Sequence, residues 1–196
     1  MSNKQAYIVE VCGGAGSGKS AWVKRQIENE RRVLIWDVND EYQGVRVTNR
    51  RDLINAVKGN KTKTFRIRYV PPEVTQDEFS FWCDVAFIAG NLAAVAEETA
   101  DVTSPGKAPP GWGKLVRRSR HQRVKVYGIT QRPAESDKTI IGNATLIHCC
   151  MLKRAQDRVY MAKEMGVSFE EVNQLKPLEW IEVSDSGQKT KGKLTF

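Results

Sequence analysis

Short apolar runs alternate along the chain with longer stretches in which apolar residues recur every three or four positions. The runs at 7–12, 33–38, 64–70, 91–96, 124–130 and 145–151 have strand length, and the one at 91–96 has the continuous apolarity of a fully buried strand. Helical spacing covers 20–30, 51–58, a segment opening at Thr75, 114–121 and 154–165, with Gly59 and Gly166 as stops. Alternation of this kind predicts an α/β fold: a mostly parallel sheet flanked by helices. Residues 178–183 and 189–196 then read as a closing β-hairpin around Asp185-Ser186-Gly187, and the Pro- and Gly-rich stretch 103–113 reads as a loop.

The helix opening at Thr75 carries the fullest local signature. Thr75 and Glu78 have capping-box spacing, and Val74 with Phe79 has that of a hydrophobic staple. Phe79, Trp82, Cys83, Ala86 and Phe87 follow on one face, which is expected to be core. Trp112, near the predicted loop tip, is expected to pack, with stacking on a base or a partner as the alternative.

Composition sharpens the class. A chain of 196 residues with 40% hydrophobic and 28% charged residues is expected to form one globular domain over 1–196. No stretch approaches the ~18 apolar residues of a membrane span. Asn3, Lys4 and Gln5 precede the first strand, so no leader is expected. Cys12, Cys83, Cys149 and Cys150 lack metal-type spacing and suit buried positions in a reducing, cytoplasmic setting. The net charge is +8, with seven Lys or Arg and no Asp or Glu between Lys114 and Arg132. A second basic region runs over 46–68. Such a surface suits a polyanion such as DNA, with Arg46, Arg50, Arg51, Lys58, Lys61 and Lys63 as candidate contacts.

The chemistry begins between the first strand and first helix. Gly13-Gly14-Ala15-Gly16-Ser17-Gly18-Lys19-Ser20 satisfies G-x-x-x-x-G-K-[ST], the phosphate-binding P-loop, in the strand–loop–helix context it needs. Glycines allow successive N–H groups to converge on phosphate oxygens, and the helix N-terminus adds partial positive charge. Gly13 to Ala21 are therefore assigned to a nucleoside triphosphate. Lys19 is placed on its β- and γ-phosphates and the Ser20 hydroxyl on Mg²⁺.

An apolar strand ending in two carboxylates, Leu92-Ala93-Ala94-Val95-Ala96-Glu97-Glu98, supplies a second element. Glu97 is assigned to the metal and Glu98 to the water that attacks the γ-phosphate. The alternative is an acidic pair that caps a strand end or starts a helix. The strand ending at Thr130 presents Gln131, suited to lie between γ-phosphate and water. Its alternative is a Gln bonded to loop backbone.

The order P-loop, strand with Glu-Glu, basic helix, strand ending Thr130-Gln131-Arg132-Pro133 resembles the FtsK/HerA superfamily of DNA-pumping ATPases over about 7–151. Asp37-Val38-Asn39-Asp40-Glu41-Tyr42 is similar to that family's Asp-Pro-x-Gly-Glu-Tyr block. It departs at Val38 and Asp40, which leaves the role of Glu41 open. The spacing from Arg120 to Gln131 also matches. Small size makes the chain most similar to the genome-packaging ATPases of membrane-containing tailless phages. The resemblance implies a RecA-like (ASCE-type) core with the P-loop strand central and the glutamate strand beside it. It implies ATP with Mg²⁺, a homo-oligomeric ring, hexameric by the family's habit, and double-stranded DNA as substrate. It further implies a capsid or portal-vertex protein as a partner, in the host cytoplasm or on the virion. An arginine from the next subunit completes each site in such rings; Arg120 is the first choice, with Arg117 and Arg118 behind it. Three other readings stand beside this one: a Zot-like assembly or export ATPase, a small P-loop kinase, and a nucleic-acid-binding module with structural ATP.

Overall fold

The computed structural model describes residues 6–60 and 63–195. Asn3, Lys4, Gln5, Lys61 and Phe196, on which parts of the sequence reading fell, lie outside the described residues. Among the described residues, seven strands run parallel: β1 (Tyr7–Cys12), β2 (Arg32–Trp36), β3 (Val45–Val47), β4 (Phe65–Tyr69), β5 (Leu92–Ala96), β6 (Val124–Thr130) and β7 (Leu146–Cys150). The hairpin β8 (Glu179–Ser184) and β9 (Lys189–Lys193) extends the same sheet antiparallel beyond β7. The order across the sheet is β3-β4-β2-β5-β6-β1-β7-β8-β9.

The helices are α1 (Lys19–Gln26), α2 (Arg50–Gly59), α3 (Gln76–Ala89), α4 (Thr99–Val102), α5 (Pro110–Gln122), α6 (Lys138–Ile141), α7 (Ala155–Met165) and α8 (Phe169–Asn173). Because successive strand residues face opposite sides, the central strands feed two cores. Val9, Val11, Val33, Ile35, Val95 and Ile129 pack with Trp22, Val23 and Ile27 of α1. Ile8, Leu34, Trp36, Ala94, Ala96 and Val126 pack with Phe79 and Trp82 of α3 and Leu115 of α5. A third cluster joins β7 and β8 to α7 and α8. All four cysteines are free and buried.

Several expectations need correction. The glutamate strand β5 does not lie beside the P-loop strand β1; β6 stands between them. Helix α1 ends at Gln26 rather than near 30, because the chain must turn to enter β2 at Arg32. The stretch 103–113 is a loop only to Pro109. Pro110 opens α5 at a position where its missing N–H costs nothing. Gly111 then allows α5 to press on α3, since a Cβ there would lie 2.3 Å from the Ser80 carbonyl oxygen. Trp112 is consequently fully buried, with its indole N–H donating to Asp137 at 2.5 Å. Only half of the expected capping box forms: Glu78 N–H donates to Thr75 Oγ1 at 3.2 Å, while the Glu78 carboxylate turns to Arg50 and Tyr69. Val74 stays 45% exposed, so a staple there covers little apolar surface. A complete capping box instead opens α8, between Ser168 and Glu171.

Candidate phosphate-binding and hydrolytic site

Three neighbouring strands end side by side and carry the site. Cys12 of β1 pairs with Thr130 of β6, and Ala96 of β5 pairs with Gly128 of β6. The residues that follow these strands therefore meet at one edge of the sheet: Gly13 onward, Gln131, and Glu97 with Glu98. The intervening β6 is what sets Gln131 between the phosphate loop and the two glutamates.

The P-loop is held at both flanks. Gly13 N–H donates to the Thr130 carbonyl at 3.2 Å and Gly14 N–H to that of Met151 at 2.7 Å. Gly18, at φ 105°, turns the chain into α1 in a conformation open mainly to glycine. The Lys19 side chain is 7% exposed and donates to the Gly14 carbonyl at 3.1 Å, curled over its own loop. From the first turn of α1, Ser20 Oγ donates to Glu97 Oε1 at 3.3 Å. A hydroxyl and a carboxylate oxygen this close, at the mouth of a phosphate loop, form a hard-oxygen donor set of the kind Mg²⁺ takes.

The two glutamates diverge. Glu98 adopts φ 49° and ψ 53°, a left-handed conformation that costs a residue with a side chain about 1–2 kcal/mol. The kink starts α4, which Thr99 ties to β6 by donating to the Ile129 carbonyl at 3.3 Å. Glu97 points inward and is 3% exposed. Burial raises its pKa; the hydrogen bond from Tyr42 opposes this, the Glu98 charge adds to it, and Lys19 and Ser20 lower it. Glu98 is half-buried at the mouth and accepts from Gln131 Nε2 at 2.6 Å. Glu98 does sit at a helix start, but its side chain makes no capping bond. Gln131 bonds to a glutamate rather than to loop backbone.

Sequence reasoning missed one member of the site. The carboxylate of Asp37, fully buried at the end of β2, accepts N–H bonds from Glu41 and Tyr42 at 3.0 Å each. The resulting turn aims the Tyr42 hydroxyl at Glu97 Oε1, to which it donates. Glu41, the residue singled out, is exposed, and its carbonyl accepts from Lys24 at 3.1 Å. The signal was present in the block that ends in Tyr42; only the direction of each side chain was not.

Arg120 is not brought to this site. It is exposed in the last turn of α5, just before β6 begins. The seven residues of β6 then span roughly 23 Å to the P-loop edge. Arg117 and Arg118 are exposed on the same helix. Of the second basic region, Arg46 pairs with Asp40 at 2.9 Å, and Arg50 pairs with Asp77 and with Glu78 at 2.7 Å. Arg51 is 3.6 Å from Asp52. Lys58 and Lys63 are exposed.

Comparison with known proteins places this geometry. No protein-family model matches the chain. Protein P9 of Pseudoalteromonas phage PM2 is 35% identical over 170 residues, covering 84% of this chain and 78% of that protein. Among solved structures, the genome packaging NTPase B204 of Sulfolobus turreted icosahedral virus 2, in complex with AMPPCP, superimposes with a TM-score of 0.82 at 18% identity. That match covers 97% of this chain and 98% of B204. VirB4 of Thermoanaerobacter pseudethanolicus gives 0.65 at 10% identity over 100% of this chain and 91% of that one. The N-terminal domain of zonular occludens toxin from Neisseria meningitidis gives 0.51 at 14% identity over 97% and 95%. At these identities the shared property is the fold, that of a RecA-like P-loop ATPase core. The chain belongs to the family of protein P9 of Pseudoalteromonas phage PM2.

Proposed function

We propose that the chain, as a single ATPase domain over 1–196, hydrolyses ATP with Mg²⁺ and drives double-stranded DNA into a viral capsid. The observation that carries this reading is the convergence of Ser20 with Glu97 and of Gln131 with Glu98 at the mouth of one phosphate loop. The likeness to B204, itself a genome packaging NTPase seen with a nucleotide analogue, supports the same reading.

In this mechanism the N–H groups of Gly13 to Ala21 and the Lys19 ammonium bind the phosphates. Lys19 exchanges its bond to the Gly14 carbonyl for phosphate oxygens. Ser20 and Glu97 would hold Mg²⁺, which would supply positive charge against the phosphate oxygens. Gln131 orients a water on the γ-phosphorus, and Glu98 takes its proton as the bond to ADP breaks. The hydrogen bond from Tyr42 favours the ionised form of Glu97 and aims its carboxylate.

Arg120 lies too far from its own P-loop to act there, and in a ring it serves the neighbour's site, where such a group is worth ~10³–10⁵ in rate. The working form is a homo-oligomeric ring, hexameric by the superfamily's habit. It acts in the host cytoplasm or on the virion against a capsid or portal-vertex protein. Among the described residues, no helix is long and apolar enough to cross a membrane.

The test is ATPase activity with and without double-stranded DNA, with the mass of the assembly determined in the same buffer. Stimulation by DNA in an oligomer supports the motor. An assembled ring whose turnover and binding ignore DNA overturns it, and a phosphorylated small molecule in place of free phosphate identifies a kinase.

A further inference from the structure

Beside the P-loop lies a cavity of about 270 Å³ lined by residues 16–21 and by one residue from far along the chain, Leu178. Leu178 precedes β8 and has φ 70°, a left-handed conformation that is an outlier for a bulky side chain. Its surroundings hold it there. The Leu178 carbonyl accepts from Leu194 N–H at 2.9 Å, and the turn before it is closed by Glu179 N–H on the Lys176 carbonyl at 3.0 Å. Leu178 and Leu194 both press on the start of α1: a Cβ on Gly18 would lie 2.6 Å from Leu194 Cδ1 and 3.3 Å from Leu178 Cδ2. The Arg25 guanidinium, on α1, donates to the Thr195 carbonyl and fastens the end of the hairpin to the same helix. Residues kept in disfavoured backbone conformations by their surroundings cluster where a ligand is gripped.

We propose that Leu178 is the platform for the nucleobase of the bound triphosphate. The inference rests on the nucleotide reading above. Phosphates occupy the N–H groups of the loop, so ribose and base must extend past Ser20 and Ala21, and the wall they meet there is Leu178. Apart from Ser17, Lys19 and Ser20, which belong to the phosphate end, no side chain with a hydrogen-bonding group lines the cavity among the described residues. The base is therefore held by apolar contact, and its edge goes unread. Apolar pockets discriminate weakly between isosteric ligands, so purine triphosphates of either kind are accepted.

The experiment measures affinities of the full chain, with Mg²⁺, for ATP, GTP and inorganic tripolyphosphate, in wild type, Leu178→Ala and Leu178→Met. In wild type, ATP and GTP bind within about tenfold of each other and both more tightly than tripolyphosphate. Leu178→Ala weakens ATP and GTP together by about five- to tenfold and leaves tripolyphosphate unchanged; Leu178→Met restores binding. A Leu178→Ala protein with ATP affinity within twofold of wild type overturns the proposal. So does an equal loss for tripolyphosphate, and so does wild-type preference for one purine by a hundredfold or more. Wild-type protein that binds tripolyphosphate but no better ATP overturns the platform alone. Failure to bind any of the three overturns the nucleotide reading itself.

Discussion

Tyr42 donates its phenolic hydrogen to the same Glu97 oxygen that accepts from Ser20 Oγ. Two segments distant in the chain thus converge on one buried carboxylate. A hydrogen bond to the ionised form favours ionisation, and burial opposes it. Replacing Tyr42 by Phe removes the favourable part and leaves the burial, so the Glu97 pKa rises further. Glu97 must be ionised to hold a cation, so the acid limb of the kcat/KM–pH profile is expected to move upward by about one pH unit. Near the alkaline plateau turnover approaches that of wild type. An unmoved acid limb would show that Tyr42 does not tune Glu97.

The divergence of Glu97 and Glu98 is expected to separate binding from turnover. Glu98→Gln is expected to lower kcat by about 10²–10⁴ with nucleotide affinity largely kept. Lys19→Ala is expected to abolish binding, because the phosphates lose their buried cation. Single-turnover hydrolysis beside equilibrium binding distinguishes the two, and full activity in Glu98→Gln would remove it from the role of base.

Glu10 sits fully buried in the middle of β1, with neither carboxylate oxygen hydrogen-bonded among the described residues. Burial, then the charges of Asp137 and Cys149, raise its pKa well above the usual 4.5. A carboxyl raised in the folded state favours folding fully below its unfolded pKa, and that contribution is lost as pH climbs toward the folded pKa. Glu10→Gln cannot titrate. The stability of the variant relative to wild type is therefore expected to grow from about pH 4.5 upward, by up to about 1.4 kcal/mol per pH unit. Urea melts at pH 4.5, 6 and 7.5 measure it, and a gap independent of pH would contradict the assignment.

The basic groups fall into two kinds, with different expectations for DNA. Arg117 and Arg118 are exposed on α5 and pair with no carboxylate among the described residues. Arg50 is engaged with Asp77 and Glu78. Removing Arg117 and Arg118 together is expected to reduce the slope of log K against log salt by about 1–2. Arg50→Ala is expected to leave that slope alone and lower the melting temperature. Binding isotherms at several salt concentrations decide; a slope lost in Arg50→Ala and kept in the double variant would reverse the assignment.

Arg120 is expected to act on another subunit. Arg120→Ala lowers turnover by about 10³ or more without lowering ATP affinity in proportion. Mixed with Lys19→Ala, it recovers activity, because some interfaces then pair an intact P-loop with an intact arginine. A mixture no more active than its parts would place Arg120 outside the hydrolytic site.

Much of the candidate site was legible because the chemistry proposed for it is local. A phosphate loop needs glycines, Lys19 and Ser20 in one short run between a strand and a helix. The buried strand 92–96 announces itself by uninterrupted apolarity. Where signals were ambiguous, packing decided. Pro109-Pro110-Gly111 suits a loop as well as a helix start, and the close approach of α5 to Ser80 selects the helix. Thr75 and Glu78 have capping-box spacing, but a carboxylate in reach of Arg50 gains more there than at the cap.

Local sequence patterns were enough for the element types, the alternation that makes the sheet parallel, and the candidate residues for phosphate, metal and water. Tertiary structure decided which of them meet. Strand order places β6 between β1 and β5 and so brings Gln131 to Glu98. The turn fixed by Asp37 delivers Tyr42 rather than Glu41, and the hairpin carries Leu178 to the loop. Local propensity acts over a few residues and is written in them. Contacts between residues tens of positions apart depend on how whole elements pack, and no short stretch of sequence encodes that.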